Sequence, residues 1–187
     1  PETRQTPFLN PLDVFLADPP DWRVEGLLPE RGVGILVGGE GSGKTFVAID
    51  LCMAIANGTA FANNHPTTRG RVLYAAAEDR LGVGARIVAH HQWSGLSVED
   101  IVLWRGISLA DTADIEFLEQ CGDRFDFIVI DTLSKATPGL DENSNTEMAA
   151  AIDRAYRLSA IWGAFVLLVA HSGKEASKGI RGASSLT

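Results

Sequence analysis

Two short segments of this sequence combine residue types suited to phosphate chemistry. The first, Gly38-Gly39-Glu40-Gly41-Ser42-Gly43-Lys44-Thr45, fits the pattern G-x-x-x-x-G-K-[ST]. Glycines at these spacings let backbone N–H groups converge on an anion, and a helix opening behind them adds the positive end of its dipole. Lys44 is placed to reach the outer phosphates of a nucleotide, and the Thr45 hydroxyl to ligate Mg²⁺. The second, "VLYAAAEDR" (72–80), runs from apolar residues into Glu78, Asp79 and Arg80. Alone, that ending reads as a solvated strand terminus. Beside a phosphate site it also reads as a carboxylate able to polarise a water near the outermost phosphate.

A phosphate-bound metal needs a further acid at the end of a neighbouring strand. "FIVID" ends in Asp131, which alone would read as a turn cap and with the glycine-rich loop reads as the second metal ligand. Asp131 is followed by Thr132, so no glutamate stands next to it to orient a water, and Glu78 is the candidate general base. Asp79 is expected to cap the next helix, and Arg80 to be solvated. The sequence lacks N-K-x-D, which argues against a guanine-specific switch, and lacks an L-S-G-G-Q-like stretch, which argues against a transporter ATPase. ATP with Mg²⁺ is therefore the expected ligand of Gly38–Thr45.

These residues need elements to hold them. Short apolar runs at 33–37, 71–77, 101–105, 125–131 and 164–172 read as strands. Helical spacing follows in "FVAIDLCMAIANG", which stops at Asn57-Gly58, in 81–93, in 112–121, and in the segment after a serine or asparagine cap at 144–145. In that last helix Met148, Ile152, Ala155 and Tyr156 share one face. Alternating strands and helices predict an α/β fold, a mostly parallel sheet with helices on both faces. Ligands of such sheets bind beyond the carboxyl ends of the strands, where all the candidate residues fall.

At 187 residues the chain is long enough for one sizeable core, with 45% hydrophobic and 21% charged residues. Residues 1–31 read as an irregular lead-in packing on the core, with a short helix near 12–17, and 32–187 as the catalytic domain. The chain opens at Pro1 without a methionine and is expected to be a piece of a longer protein. It carries neither a signal-peptide pattern nor an apolar run long enough to cross a membrane. Cys52 and Cys121 lack metal-ligand spacing and are expected to be reduced core residues of a cytoplasmic protein. A net charge of −8 argues against a broad basic surface for duplex DNA.

The order of phosphate loop, strand-terminal glutamate and lone strand-terminal aspartate is that of the RecA-like P-loop ATPases. More closely, "VEGLLPERG", "GGEGSGKT", "VLYAAAEDR", "FIVIDTLSK", "VLLVAHSGK" and "IRGASSL" resemble the RepA-like replicative helicase domain of plasmids and phages. The resemblance runs from about Pro11 to the end of the chain. It implies a RecA-like P-loop NTPase fold, a catalytic Glu78, and a His171 that senses the γ-phosphate. It also implies site roles for Arg86, on the helix after the glutamate, and for Arg181. The family's trans-acting arginine finger lies farther on than Thr187, so the domain is expected to be cut short at its C-terminal end. Read without the resemblance, His171 is a strand-end histidine, Arg86 an exposed helix charge, and His90-His91 a pair without partners on a helix surface.

The chain has four lysines, and apart from Lys44 they fall in two loops. Lys135 follows the Asp131 strand, and Lys174 and Lys178 follow the His171 strand. Ring-forming RecA-like motors line a channel for single-stranded DNA with loops at these positions, and a few cations on glycine-rich loops suit backbone tracking. Two solvated loops are the plainer reading, supported in the first by Asp141 and Glu142. The expected function is an ATP-hydrolysing helicase motor, acting as a hexameric homo-oligomer on single-stranded DNA. The alternatives are a RecA- or Rad51-like recombinase, and a KaiC-like nucleotide switch in which DNA has no effect.

Overall fold

A computed structural model describes residues 21–172, together with the isolated position Pro11. The helix expected near 12–17, and Lys174, Lys178 and Arg181, lie outside the described residues. The elements in chain order are β1 (Trp22–Val24), β2 (Leu28–Pro29), β3 (Gly32–Gly38), α1 (Lys44–Asn57), β4 (Val72–Ala76) and α2 (Arg80–Ser94). They continue with β5 (Ile101–Trp104), α3 (Ala113–Gln120), β6 (Phe127–Asp131), α4 (Leu133–Ala136), α5 (Asn145–Trp162) and β7 (Phe165–His171).

Five strands form one sheet in the order β3-β7-β6-β4-β5, every neighbouring pair parallel. The α/β architecture is that of a RecA-like P-loop NTPase. β4 and β6 are buried at every position, which is why they read as unbroken apolar runs. Period-two alternation divides their side chains between two cores. Val72, Tyr74, Ala76, Phe127 and Val129 pack with Ile49, Cys52, Met53 and Ile55 of α1 and Val83 and Ile87 of α2. Leu73, Ala75, Ile128 and Ile130 pack on the other face with Ile115 and Leu118 of α3 and Met148, Ala151, Ala155 and Leu158 of α5.

Local chemistry sets the helix ends. Gly58 in the left-handed conformation stops α1, and its N–H returns to Ala54 and Ile55 carbonyls. The Ser144 hydroxyl accepts from Glu147 N–H to start α5. Of the face expected for α5, Met148 and Ala155 are buried and Ile152 packs against the same core, which continues through Ala151 and Leu158; Tyr156 lies off its edge and is 53% exposed. Cys52 is buried as expected, but Cys121 is exposed, because it caps the C-terminal end of α3 where the chain turns outward at Gly122. The His90-His91 pair is also partnered. His90 bridges Asp50 Oδ1 and Ser94 Oγ at 3.2 Å each, and His91 Nδ1 lies 2.6 Å from the Leu96 carbonyl.

The described part of the lead-in is a hairpin rather than irregular chain: β1 and β2 pair antiparallel, Trp22 with Pro29 and Val24 with Leu28. Val24 is fully buried, and Arg23 is 3% exposed. The Arg23 guanidinium donates to the Thr68 and Arg69 carbonyls at 3.3 Å each, and its other nitrogen lies 3.6 Å from both Glu30 and Asp126. This clamp sits at the amino ends of β4 and β6, opposite the rim that carries the candidate site.

At the sheet edge, β3 owes its close contact with β7 to a missing side chain. A Cβ on Gly34 would fall 2.7 Å from Phe165 Cζ, and the Phe165 ring is itself stacked on Phe127 at 6.4 Å. Gly34→Val should therefore destabilise the fold by about 1–3 kcal/mol, as overpacked cores do. Urea unfolding followed by circular dichroism checks this; an unchanged midpoint would show that the ring has room to move.

Candidate active site

The carboxyl ends of β3, β7, β6 and β4 lie side by side because the ladders are in register. Gly38 is opposite His171, Val169 opposite Asp131, and Asp131 opposite Ala76. Ala77 N–H donates to the Asp131 carbonyl at 2.9 Å, carrying the pairing one residue past β4. The P-loop leaves the first of these ends, and Glu78 follows the last.

The loop Gly38–Gly43 closes by backbone geometry. Gly41 and Gly43 have φ of +70° and +87°, the left-handed region that glycine favours. A Cβ on Gly38 would lie 2.7 Å from Ser42 Oγ, so a side chain there would have to turn that hydroxyl away. Gly39, Glu40, Gly41 and Ser42 are exposed along the loop. α1 starts at Lys44 with no acid of its own in the first turn to offset the positive end of its dipole. A cradle of glycines on a bare helix N-terminus fits a phosphate chain.

Lys44 is 8% exposed, and its ammonium donates to the carbonyls of Gly38 (3.0 Å) and Gly39 (2.8 Å). It also lies 3.2 Å from His171 Nδ1. An ammonium can only donate, so Nδ1 accepts and the imidazole proton belongs on Nε2. The structure thus brings together Lys44 and His171, two residues far apart in the chain.

Thr45 Oγ1 donates to Asp131 Oδ2 at 3.1 Å. The hydroxyl keeps its lone pairs, and the carboxylate adds a second hard oxygen, a donor pair that suits Mg²⁺. Among the described residues there is no cluster of three or more His, Cys, Asp or Glu. When bound, Mg²⁺ would neutralise charge on the phosphates of its nucleotide.

Three neighbours of this constellation were not legible as site residues in the sequence. Tyr74, fully buried, donates its hydroxyl to the same Asp131 Oδ2 at 2.7 Å. Thr132 Oγ1 donates to Glu78 Oε1 at 3.1 Å and pairs with Ser134 Oγ at 3.1 Å. The one hint in the sequence was a phenol inside an otherwise aliphatic strand. Glu78 itself is exposed on the rim. Asp79 caps α2 by accepting from Gly82 N–H at 2.8 Å, and Arg80 is exposed, both as expected.

Arg86 is drawn toward the P-loop helix rather than left free. Its guanidinium lies 3.4 Å from Asp79 Oδ2 and 5.7 Å from the centre of the Phe46 ring, one residue past Thr45. Lys135 is exposed on α4, a short helix where the sequence suggested a loop.

A family model described as an AAA domain matches residues 5–177. The chain belongs to this AAA-domain family. As such it is a P-loop ATPase domain, and the family's use of nucleotide agrees with the cradle of this AAA domain. No helix among the described residues of the AAA domain is long and apolar enough to cross a membrane.

Burial, then the charge and hydrogen bond of Asp131, push the Tyr74 phenol far above its usual range. The unfolded chain releases this proton near pH 10, whereas the folded AAA domain retains it. The contribution is whole below about pH 10 and is lost as pH rises further, at up to about 1.4 kcal/mol per pH unit. Unfolding free energies measured between pH 9 and 12 should fall along this limb, and Tyr74→Phe should flatten it. Parallel slopes in the two proteins would mean that Tyr74 ionises in the folded state.

Proposed function

We propose that this AAA domain is the ATP-hydrolysing motor of a RepA-like replicative helicase, coupling hydrolysis to movement along single-stranded DNA. The observation that carries the reading is the placement of Glu78. The general base stands at the end of β4 and is held there by Thr132, the residue after Asp131 on β6. The acid that polarises water and the acid that serves the metal therefore come from adjacent strands, as the RecA-like order of motifs implies.

Each residue has a separable task. Gly38–Thr45 bind the phosphates of ATP, with Lys44 on the outer ones. Thr45 and Asp131 would hold Mg²⁺. Glu78 Oε1 accepts from Thr132, and Oε2 has no protein donor among the described residues, which leaves it for a water. His171 shares Lys44 through Nδ1 and presents Nε2–H as a donor for the terminal phosphate. Arg86, tied to Asp79, borders the P-loop helix. For Arg181 and for DNA contact by Lys174 and Lys178, support rests on the sequence resemblance alone. The exposed Lys135 is available to a strand passing the rim.

A RecA- or Rad51-like recombinase would use the same site in filaments instead of a closed ring. A KaiC-like switch has one observation in its favour: the exposed Lys135 on α4 is followed by an acid, Asp141, which is also exposed. In that reading ATP drives assembly, and DNA leaves turnover unchanged.

ATP hydrolysis with and without single-stranded DNA separates these readings. The motor predicts stimulation by DNA and loss of about 10²–10⁴-fold in rate on Glu78→Gln, with nucleotide affinity retained. Nucleotide binding with turnover indifferent to DNA would favour the switch. Full activity in Glu78→Gln would remove Glu78 as the base.

A further inference from the structure

Tyr74 is packed among apolar neighbours on the α1 face of the sheet, and a phenylalanine would fill the same space. What distinguishes it is the hydroxyl, which donates to Asp131 Oδ2 at 2.7 Å. Thr45 Oγ1 donates to that same oxygen at 3.1 Å. Oδ1 of Asp131 has no protein donor among the described residues, and the side chain retains a small exposure of 8%.

We infer that Tyr74 is a positioning residue of the nucleotide site: by holding Asp131 Oδ2 it fixes the carboxylate's rotation and leaves Oδ1 for the cation that accompanies the nucleotide. The inference rests on the ATPase reading. The terminal torsion of an aspartate has a broad profile, so the carboxylate turns easily unless its oxygens are tied. Thr45 ties it from the first turn of α1, a segment that must also receive the nucleotide. Tyr74 ties it from β4, a strand buried at every position and hydrogen-bonded on both sides. With two donors on Oδ2, turning the carboxylate breaks two charge-assisted bonds at once, and such bonds are stronger than neutral ones. Outer partners of this kind are worth about 10–100-fold in metal affinity.

A purely structural tyrosine would satisfy its own hydroxyl on the carboxylate and influence stability alone. Titration with N-methylanthraniloyl-ADP in EDTA and at rising MgCl₂ separates the two roles. In Tyr74→Phe the Mg²⁺ concentration for half-maximal binding should rise about tenfold, while affinity in EDTA stays within about twofold. In an Asp131→Asn background, Tyr74→Phe should add no further change, because the two act through one carboxylate. An unchanged Mg²⁺ midpoint in Tyr74→Phe overturns the positioning role, whatever its melting temperature.

A second measurement needs no change at position 74. The chain has two tyrosines, so 3-fluorotyrosine labelling gives two fluorine resonances. That of Tyr74, identified by its loss in Tyr74→Phe or by its shielding from solvent, should shift when Mg²⁺ is added to the ADP-bound protein. It should not shift in Asp131→Asn. A resonance indifferent to Mg²⁺ in the unsubstituted protein overturns the inference. Failure of the unsubstituted chain to bind the ADP probe at any Mg²⁺ concentration would remove the nucleotide site itself, and the positioning role with it.

Discussion

The rim of this domain depends on the parallel pairing of β3, β7, β6 and β4 in a single register. His171 is opposite Gly38, and Asp131 opposite Ala76, only because these ladders are aligned. In a sheet with side chains alternating between faces, a slip of one residue would send Tyr74 into the other core and break its bond to Asp131. The two apolar clusters hold the register against such a slip. Each face of β4 and β6 is fully committed to different helices, so no alternative pairing buries the same side chains.

On that base the site solves a recurring difficulty, the placement of charge at the edge of a dry interior. Lys44 and Asp131 are both nearly buried, and neither is paired directly with the other. Lys44 is spread over two carbonyls and an imidazole, and Asp131 over two hydroxyls. Neutral partners of this kind satisfy a buried ion without cancelling it. The charges therefore stay available to a ligand, which a direct Lys44–Asp131 salt bridge would have prevented. Glu78 and Thr132 repeat the device at the wetter end of the rim.

The elements were legible because their signals are local. Each of the five sheet strands could be placed from its apolar run, and Asn57-Gly58 and the serine cap before α5 mark where helices stop and start. The P-loop was legible for the same reason, since its glycines, lysine and threonine are contiguous. The hydroxyl partners were not. Tyr74 touching Asp131 and Thr132 touching Glu78 depend on β4 lying beside β6, and adjacency of strands is absent from the pattern of any one segment. Tyr156 and Cys121 show the complementary limit. Both are residue types that usually pack inside, yet a place off the edge of a helix face in one case and at a helix end in the other leaves them exposed. The hairpin at Trp22–Pro29 escaped notice because strands of two or three residues carry too few positions to show a period.

That hairpin is also an integral part of the folded domain. Arg23 joins the chain at Trp22–Glu30, at Thr68–Arg69 and at Asp126, three stretches remote in sequence. A boundary drawn at Gly32, just before the first strand of the large sheet, would cut away the guanidinium, bare the core beneath Val24 and leave Asp126 without its cation. The portable unit therefore includes the hairpin. Any fusion or transplant of this ATPase into another protein has to make its junction upstream of Trp22.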